Sequence, residues 1–310
     1  MSVDIFDDIF TTLSLKGALY FRTDFSPPWS VTVPSLGKAA RFHLVMEGRC
    51  FIRVEGGDFV ELTAGDLILI PHGVSHVIAH EPCAMAPPLE TVLDDAGYQG
   101  DGVLIYGSKT PFASTQLVCG HFTFREGAEH PLLEALPDYL LTRATTRMTL
   151  PLLDEVLNLI KKRIFEDSLG SFASITRLSE IVFIELLRSG FSQEPRLRIL
   201  LEGFRDPKIS HALSLIHSQP EEYWTVQKLA LHVAMSRSRF AKRFQELIGK
   251  GPMAYLSDWR LQKAYSLLEG SHLSVQQIAS RTGYQSAAAF TRAFSNKFGL
   301  VPTECRRIAT

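Results

Sequence analysis

Hydrophobic and polar positions change rhythm several times along this chain. From residue 17 to about 125 the apolar runs are short, as in Phe51-Ile52-Arg53-Val54 and Leu67-Ile68-Leu69-Ile70. Glycine and proline punctuate them at Gly56-Gly57, Ala64-Gly65-Asp66 and Pro71-His72-Gly73. Many short strands separated by turns predict a sandwich or barrel. Residues 81–115 are rich in Pro, Gly, Ala and Asp and have little periodicity, which predicts a long loop interrupting the β-region. From 151 to 190 the period becomes helical: Leu152, Val156, Leu159, Ile160 and Phe165 recur on one side, then Ile175, Leu178, Ile181, Val182 and Leu186. Two amphipathic helices joined through residues 167–171 are expected. Their apolar positions are more numerous than one small barrel can cover, so a homodimer through 151–190 is expected as well.

The last third of the chain repeats itself. Val226, Leu229, Ala230 and Val233 return 49 residues later as Val275, Ile278, Ala279 and Thr282. Phe240, Phe244, Gly249 and Pro252 return 50 residues later as Phe290, Phe294, Gly299 and Pro302. Each copy has the size of a helix-turn-helix. A short helix is capped by Thr225 or Ser274, a tight turn follows at Ala234-Met235-Ser236 or Gly283-Tyr284-Gln285-Ser286, and a second helix ends at glycine. Residues 252–269, with proline at the start and Gly270 after the end, predict a helix between the copies.

The helical period also says which face of each second helix is free. With Phe240 and Phe244 inward, Ser238, Lys242 and Gln245 point outward, flanked by Arg239 and Ala241; in the second copy Ala288, Arg292 and Ser295 point outward, flanked by Ala289 and Thr291. Such faces fit a DNA major groove, where Lys242 and Arg292 have the length and donors for guanine and alanines can touch thymine methyls. Arg237, Arg243, Lys250, Lys297, Arg306 and Arg307 are candidates for phosphate.

Charge points the same way. The 310 residues carry a net charge of −1, but residues 201–310 hold 15 Lys and Arg against 8 Asp and Glu, leaving 17 against 25 before them. A basic module that meets a polyanion follows an acidic body. With 45% hydrophobic residues and no apolar run long enough to cross a bilayer, neither disorder nor a membrane span is expected. The acidic start, MSVDIFDDIF, lacks the features of a secretory signal, so the cytoplasm is the expected compartment. There Cys50, Cys83, Cys119 and Cys305 are thiols.

The segment Trp224–Arg307, which includes LALHVAMSRSRFAKRFQELIGKGPMAYLSDWRLQKAYSLL and SVQQIASRTGYQSAAAFTRAFSNKFGLVPTECRR, resembles the AraC/XylS-type DNA-binding domain. The resemblance implies two helix-turn-helix units joined by a long helix, with double-stranded DNA as partner and RNA polymerase as a further partner in an activator. It implies DNA-binding positions at Arg237, Ser238, Arg239, Lys242, Ala287, Ala288, Thr291 and Arg292. The stretch Gly65 to His76, a glycine, five residues and then P-x-G-x-x-H, resembles the second cupin motif. The first is degraded around Arg41-Phe42-His43-Leu44, where the usual histidine pair and glutamate are missing.

The resemblance thus implies an α+β multidomain protein: a cupin-like β-barrel with a helical dimerisation region in residues 1–190, a linker at 191–204, and an all-α tandem helix-turn-helix domain at 205–310. The barrel would sense a small-molecule effector or a metal. Cys119 and His121 are two apart on an expected strand and share a face. Cupins bring positions such as His43 and His76 into the same barrel, and this set would suit tetrahedral zinc. The competing readings are a hydrogen-bonded core and a cupin metalloenzyme fused to a DNA anchor. Against the latter, Arg41 stands where the cupin glutamate would.

Overall fold

The computed structural model describes residues 4–37, 39–83, 85–100, 102–108, 114–147, 149–163 and 169–309. Along the chain, α1 (Ile5–Leu13) precedes β1 (Lys16–Ser26), β2 (Ser30–Val33), β3 (Ala40–Glu47), β4 (Arg49–Val54), β5 (Val60–Thr63), β6 (Leu67–Ile70) and β7 (His76–Ala79). Then come α2 (Leu89–Asp95), β8 (Val103–Gly107), β9 (Thr115–Thr123), α3 (Pro131–Glu134), β10 (Leu140–Thr142), α4 (Ala144–Arg147), α5 (Pro151–Arg163) and α6 (Ser171–Gln193). The remainder is helical: α7 (Pro195–Arg205), α8 (Pro207–Ser218), α9 (Val226–His232), α10 (Arg237–Ile248), α11 (Pro252–Gly270), α12 (Val275–Arg281), α13 (Ala287–Phe298) and α14 (Pro302–Ala309). Two compact units form, and chain order does not respect the division. The β-unit is Lys16–Phe124 with Leu136–Gln193; the helical unit is Met1–Leu15, Arg125–Ala135 and Glu194–Thr310.

In the β-unit a six-stranded sheet, β10-β6-β3-β9-β1-β8, and a four-stranded sheet, β2-β7-β4-β5, share one core. Alternation explains which side chains enter it: Cys50, Ile52 and Val54 of β4 are buried while Arg49 is exposed. In β6 both faces are buried, Ile68 and Ile70 joining Phe25, Trp29, Val45 and Leu117 in the shared core. On α6, Phe183 packs 4.9 Å from the ring of Phe122 on β9, and Glu180 accepts the Gly17 N–H at 3.2 Å.

The expected loop at 81–115 contains two elements. Val92 of α2 is fully buried in the shared core with Leu89 and Leu93 packed against it, and β8 pairs in parallel with β1 from Arg22↔Val103 to Ser26↔Gly107. Core burial rescued a helix that composition argued against. The helices of 151–190 form as expected, although Phe165 and part of the 167–171 joint lie outside the described residues. Their apolar positions split into two stripes. Leu153, Val156, Leu157 and Ile160 are buried, whereas Leu152 and Leu159, one heptad apart, are 47% and 46% exposed.

The expected boundaries need correction. The linker expected at 191–204 is helical for most of its length: Pro195 opens α7 at its first turn, where a missing N–H costs nothing. Gly203 on α7 is a packing glycine, since a Cβ there would lie 2.8 Å from Ile248 Cδ1. Residues 5–13 and 125–135, assigned by sequence to the barrel half, belong to the helical unit. Ile5, Ile9, Phe10 and Leu13 are buried there, and Phe6 packs 4.9 Å from Phe204.

The turn that leads to His76 depends on Gly73, whose φ is +60° and where a Cβ would fall 2.3 Å from the Ala39 carbonyl oxygen. We expect Gly73→Ala to cost about 2–4 kcal/mol, because left-handed strain and a backbone clash add. A thermal unfolding curve matching wild type would refute this.

Candidate nucleic-acid interface and sensor site

The two copies of the repeat fold alike for the same local reasons. The side chains of Thr225 and Ser274 accept the Lys228 and Gln277 N–H groups at 3.1 and 3.2 Å, and those of Ser236 and Ser286 cap α10 and α13. The turn between helices needs a left-handed residue, supplied by Ala234 (φ +50°) in the first copy and Gly283 (φ +79°) in the second. The next residue, Met235 or Tyr284, then returns its N–H to Ala230 or Ala279 at 2.9 or 2.8 Å. Phe240 and Phe244, and Phe290 and Phe294, are fully buried with ring centroids 5.7 and 5.5 Å apart. Gly249 and Gly299, both left-handed, end the second helices.

Those anchors leave Arg237, Ser238, Arg239 and Lys242 of α10 exposed, along with Ala288 and Arg292 of α13; Ala287 and Thr291 are half-buried at the edge of the same face. Lys242 has Glu246 one turn on at 3.8 Å with both side chains in solvent, an arrangement worth little. Ser295 departs from expectation, its hydroxyl being buried.

Several of the candidate phosphate cations are engaged within the protein. Arg243 binds Asp206, Lys250 meets Glu134 at 2.9 Å and Asp258 at 3.2 Å, Lys297 meets Glu129 at 2.5 Å and Asp258 at 3.1 Å, and Arg306 donates to the Leu273 carbonyl. Arg237 and Arg307 are exposed. Apart from Asp258, eight residues from Lys250, the carboxylates lie far away along the chain, so spacing does not reveal these pairs.

In the β-unit, cross-strand register places His43 opposite Cys119 and Arg41 opposite His121. His43 Nδ1 lies 3.0 Å from Cys119 Sγ and its Nε2 lies 2.8 Å from His76 Nε2, while His76 Nδ1 lies 3.1 Å from the Val74 carbonyl oxygen. A carbonyl can only accept, so His76 Nδ1 carries a proton and its Nε2 is the acceptor. Hence His43 Nε2–H donates to His76, and the Cys119 thiol donates to His43 Nδ1. Every ring nitrogen is engaged in one directed chain of neutral groups. Burial, then neighbouring His76 and Arg41, hold His43 well below the usual imidazole range; burial and Arg41 bring His76 to about 4; burial raises the Cys119 thiol, and the Cys50 thiol is pushed up to about 12.

This chain does not fit the expected zinc site of His43, His76, Cys119 and His121. Cys119 and His76 approach opposite edges of the His43 ring, so no common point faces all three. Among the described residues no group of three His, Cys, Asp or Glu side chains is placed to hold a metal ion. Arg41, buried beside them, also disfavours a cation. Beside the thiol and His43 lies a cavity of about 20 Å³, lined by Phe21, Phe25, Val31, Leu104 and Leu117. No described helix is long and apolar enough to cross a membrane.

Because His76 titrates near 6.5 in an unfolded chain and near 4 in the fold, the unfolded state holds the extra proton between those values. The stabilisation from burying it neutral is complete above 6.5 and is lost as pH falls towards 4. We expect the melting temperature to drop across that window by the equivalent of roughly 3 kcal/mol from this residue. His76→Gln should flatten the drop; an unchanged slope would contradict the assignment.

Comparison with known proteins matches residues 4–192 to a family described as Cupin and residues 229–308 to one described as Helix-turn-helix domain. The chain is 28% identical over 309 residues to the HTH-type transcriptional regulator AlkR of Acinetobacter baylyi, covering 98% of this chain and 99% of that protein. It is 23% identical over 308 residues to the HTH-type transcriptional regulator MtrA of Neisseria gonorrhoeae, with 98% of each chain covered. Among solved structures, the DNA-binding domain of AdpA in complex with a target DNA is 31% identical over 33% of this chain and 91% of that one, with a TM-score of 0.31. With the tandem helix-turn-helix behind a cupin half, the chain belongs to the AraC-type DNA-binding transcription regulators that carry a cupin-like ligand-binding domain.

Proposed function

We propose that this protein is a dimeric, effector-controlled regulator, not an enzyme, that reads two successive major-groove faces of double-stranded DNA with α10 and α13. The observation that carries this is the pair of matching solvent-exposed faces, Ser238 and Lys242 on one helix and Ala288 and Arg292 on the other, each backed by two buried phenylalanines. Lys242 and Arg292 supply donors to base edges, flanked by Arg237, Arg239, Ala287 and Thr291. Ala288 is left for a thymine methyl. The effector is a small, largely apolar molecule that enters between the two sheets beside His43 and Cys119, where the cavity is now only large enough for about one water. A regulator is favoured over a cupin metalloenzyme because the ring nitrogens of His43 and His76 are already engaged. The relatives named above are regulators of transcription too. As an activator it would also touch RNA polymerase, and it acts where the DNA is, in the cytoplasm.

The test is binding to duplexes selected from a random library by the wild-type protein. Arg292→Ala and Lys242→Ala should each weaken binding by about 1–3 kcal/mol, with the loss confined to particular base pairs. Two variants that bind every sequence like wild type would refute the assigned faces.

Dimerisation uses the exposed stripe of α5, Leu152 and Leu159, with Ile181 of α6, which is 39% exposed. Two chains double the number of half-sites without new base contacts. Sedimentation should show a dimer at micromolar concentration that Leu152→Glu with Leu159→Glu converts to a monomer. A wild-type monomer would overturn this part of the reading.

A further inference from the structure

Residues 125–135 belong to the helical unit, and the side chains of Arg125, Glu129, His130 and Glu134 reach α11, the end of α13 or Lys250 just before α11. Arg125, 7% exposed, donates to Gln262 Oε1 at 2.5 Å and lies 4.4 Å from the centre of the Tyr265 ring. Gln262, itself buried, returns its amide to the Gly127 carbonyl at 2.9 Å. Gly127 has φ +71°, and a Cβ there would sit 2.5 Å from the Phe298 ring at the end of α13. Glu129 holds Lys297 of α13, and Glu134 holds Lys250 just beyond α10; Asp258 of α11 joins both lysines. As the segment runs from 125 to 134, its partners run from 265 back to 250. It therefore lies antiparallel along about three turns of α11, and it touches the C-terminal ends of both recognition helices.

Between the two ion pairs lies a second directed hydrogen-bond chain. His130 Nδ1 accepts the Leu132 N–H at 3.1 Å, so its proton is on Nε2, which donates to Tyr255 Oη at 3.0 Å. The Tyr255 hydroxyl donates to His217 Nε2 at 2.7 Å, and His217 Nδ1 donates to the Asp8 carboxylate at 2.9 Å. Lys263 closes the chain on Asp8. Four separate stretches of sequence, α1, the 125–135 segment, α8 and α11, are thus joined through one row of buried groups. A fully satisfied buried row of this kind holds the four stretches rigidly together, which is what a brace requires.

We propose that residues 125–135 brace the two helix-turn-helix units, setting the orientation of α10 relative to α13 and so which spacing of the two half-sites the protein accepts. This rests on α10 and α13 being the reading helices. β9 carries Cys119, and two residues after its last residue, Thr123, the brace begins at Arg125.

The test needs no DNA, so its outcome is independent of the DNA assignment. Spin labels at Arg239→Cys and Ala289→Cys, equivalent exposed positions of the two copies, report the distance between the recognition helices in the full-length chain, with Cys83→Ser removing the half-buried native thiol. With labelled chains diluted by unlabelled ones, the wild-type brace should give one narrow intrachain distance distribution. Arg125→Met with Glu129→Gln and Glu134→Gln should at least double its width or move its centre while the melting transition stays cooperative. If that triple variant fails to fold, Glu129→Gln with Glu134→Gln alone, which alters only the solvent-accessible ion pairs, is measured the same way. A distribution identical to wild type in the folded variant would overturn the proposal.

Discussion

Everything in the helical unit depends on one helix being buried on more than one side. A helix that joins two helix-turn-helix units has to offer each an apolar face, and α11 does so with Tyr255, Leu256, Trp259, Leu261, Ala264, Tyr265 and Leu268, all buried. A helix apolar on so much of its surface cannot stand in water. The chain covers it with pieces taken from far away: α1, the 125–135 segment and α8. Once covered, its polar groups Gln262 and the Tyr255 hydroxyl lose their water, and each must find a partner inside. The directed chain through His130 and His217 follows from that requirement.

Both units solve the problem of buried imidazoles in the same way. In the barrel a thiol, two histidines and a carbonyl are strung in one direction; in the helical unit two histidines, a tyrosine and a carboxylate are. Each row ends on a group that can only accept, and this fixes every tautomer upstream. The difference lies at the terminus. The barrel row ends on a neutral carbonyl and is neutral throughout, whereas the helical row ends on Asp8, which stays ionised because hydrogen bonds from His217 and Lys263 outweigh the burial that would raise it. The first arrangement suits an apolar cavity; the second ties down a helix end.

Much of this was legible in the sequence, and the rest was hidden for identifiable reasons. The repeat was plain because its signals are local: caps at Thr225 and Ser274, turn residues at Ala234 and Gly283, paired phenylalanines and terminal glycines. His43, His76 and Cys119 could be grouped from their motifs, but spacing alone gave no ring orientation, and orientation is what separates a relay from a metal cage. The helix at 89–95 was masked by neighbouring proline and glycine, though Val92 and Leu93 pay for it by burial. Pro195 and Gly203 fall in the expected linker, yet one begins a helix and the other allows a close approach. The role of 125–135 was not visible at all, since a short charged stretch is defined by partners more than a hundred residues away.

The discontinuity of the helical unit also bears on how the protein is made. Asp8 and His217 are separated by 209 positions. At about 5–20 residues per second, α1 leaves the ribosome roughly 10–40 seconds before the residue it will bind exists. During that interval Ile5, Ile9, Phe10 and Leu13 have no native cover, while the barrel that follows them can already fold. The helical unit is therefore completed after the barrel, by closure onto a helix synthesised before it. A ribosome-bound chain that ends short of α11 holds a completed barrel and an α1 without its α11 cover, the kind of surface that chaperones recognise.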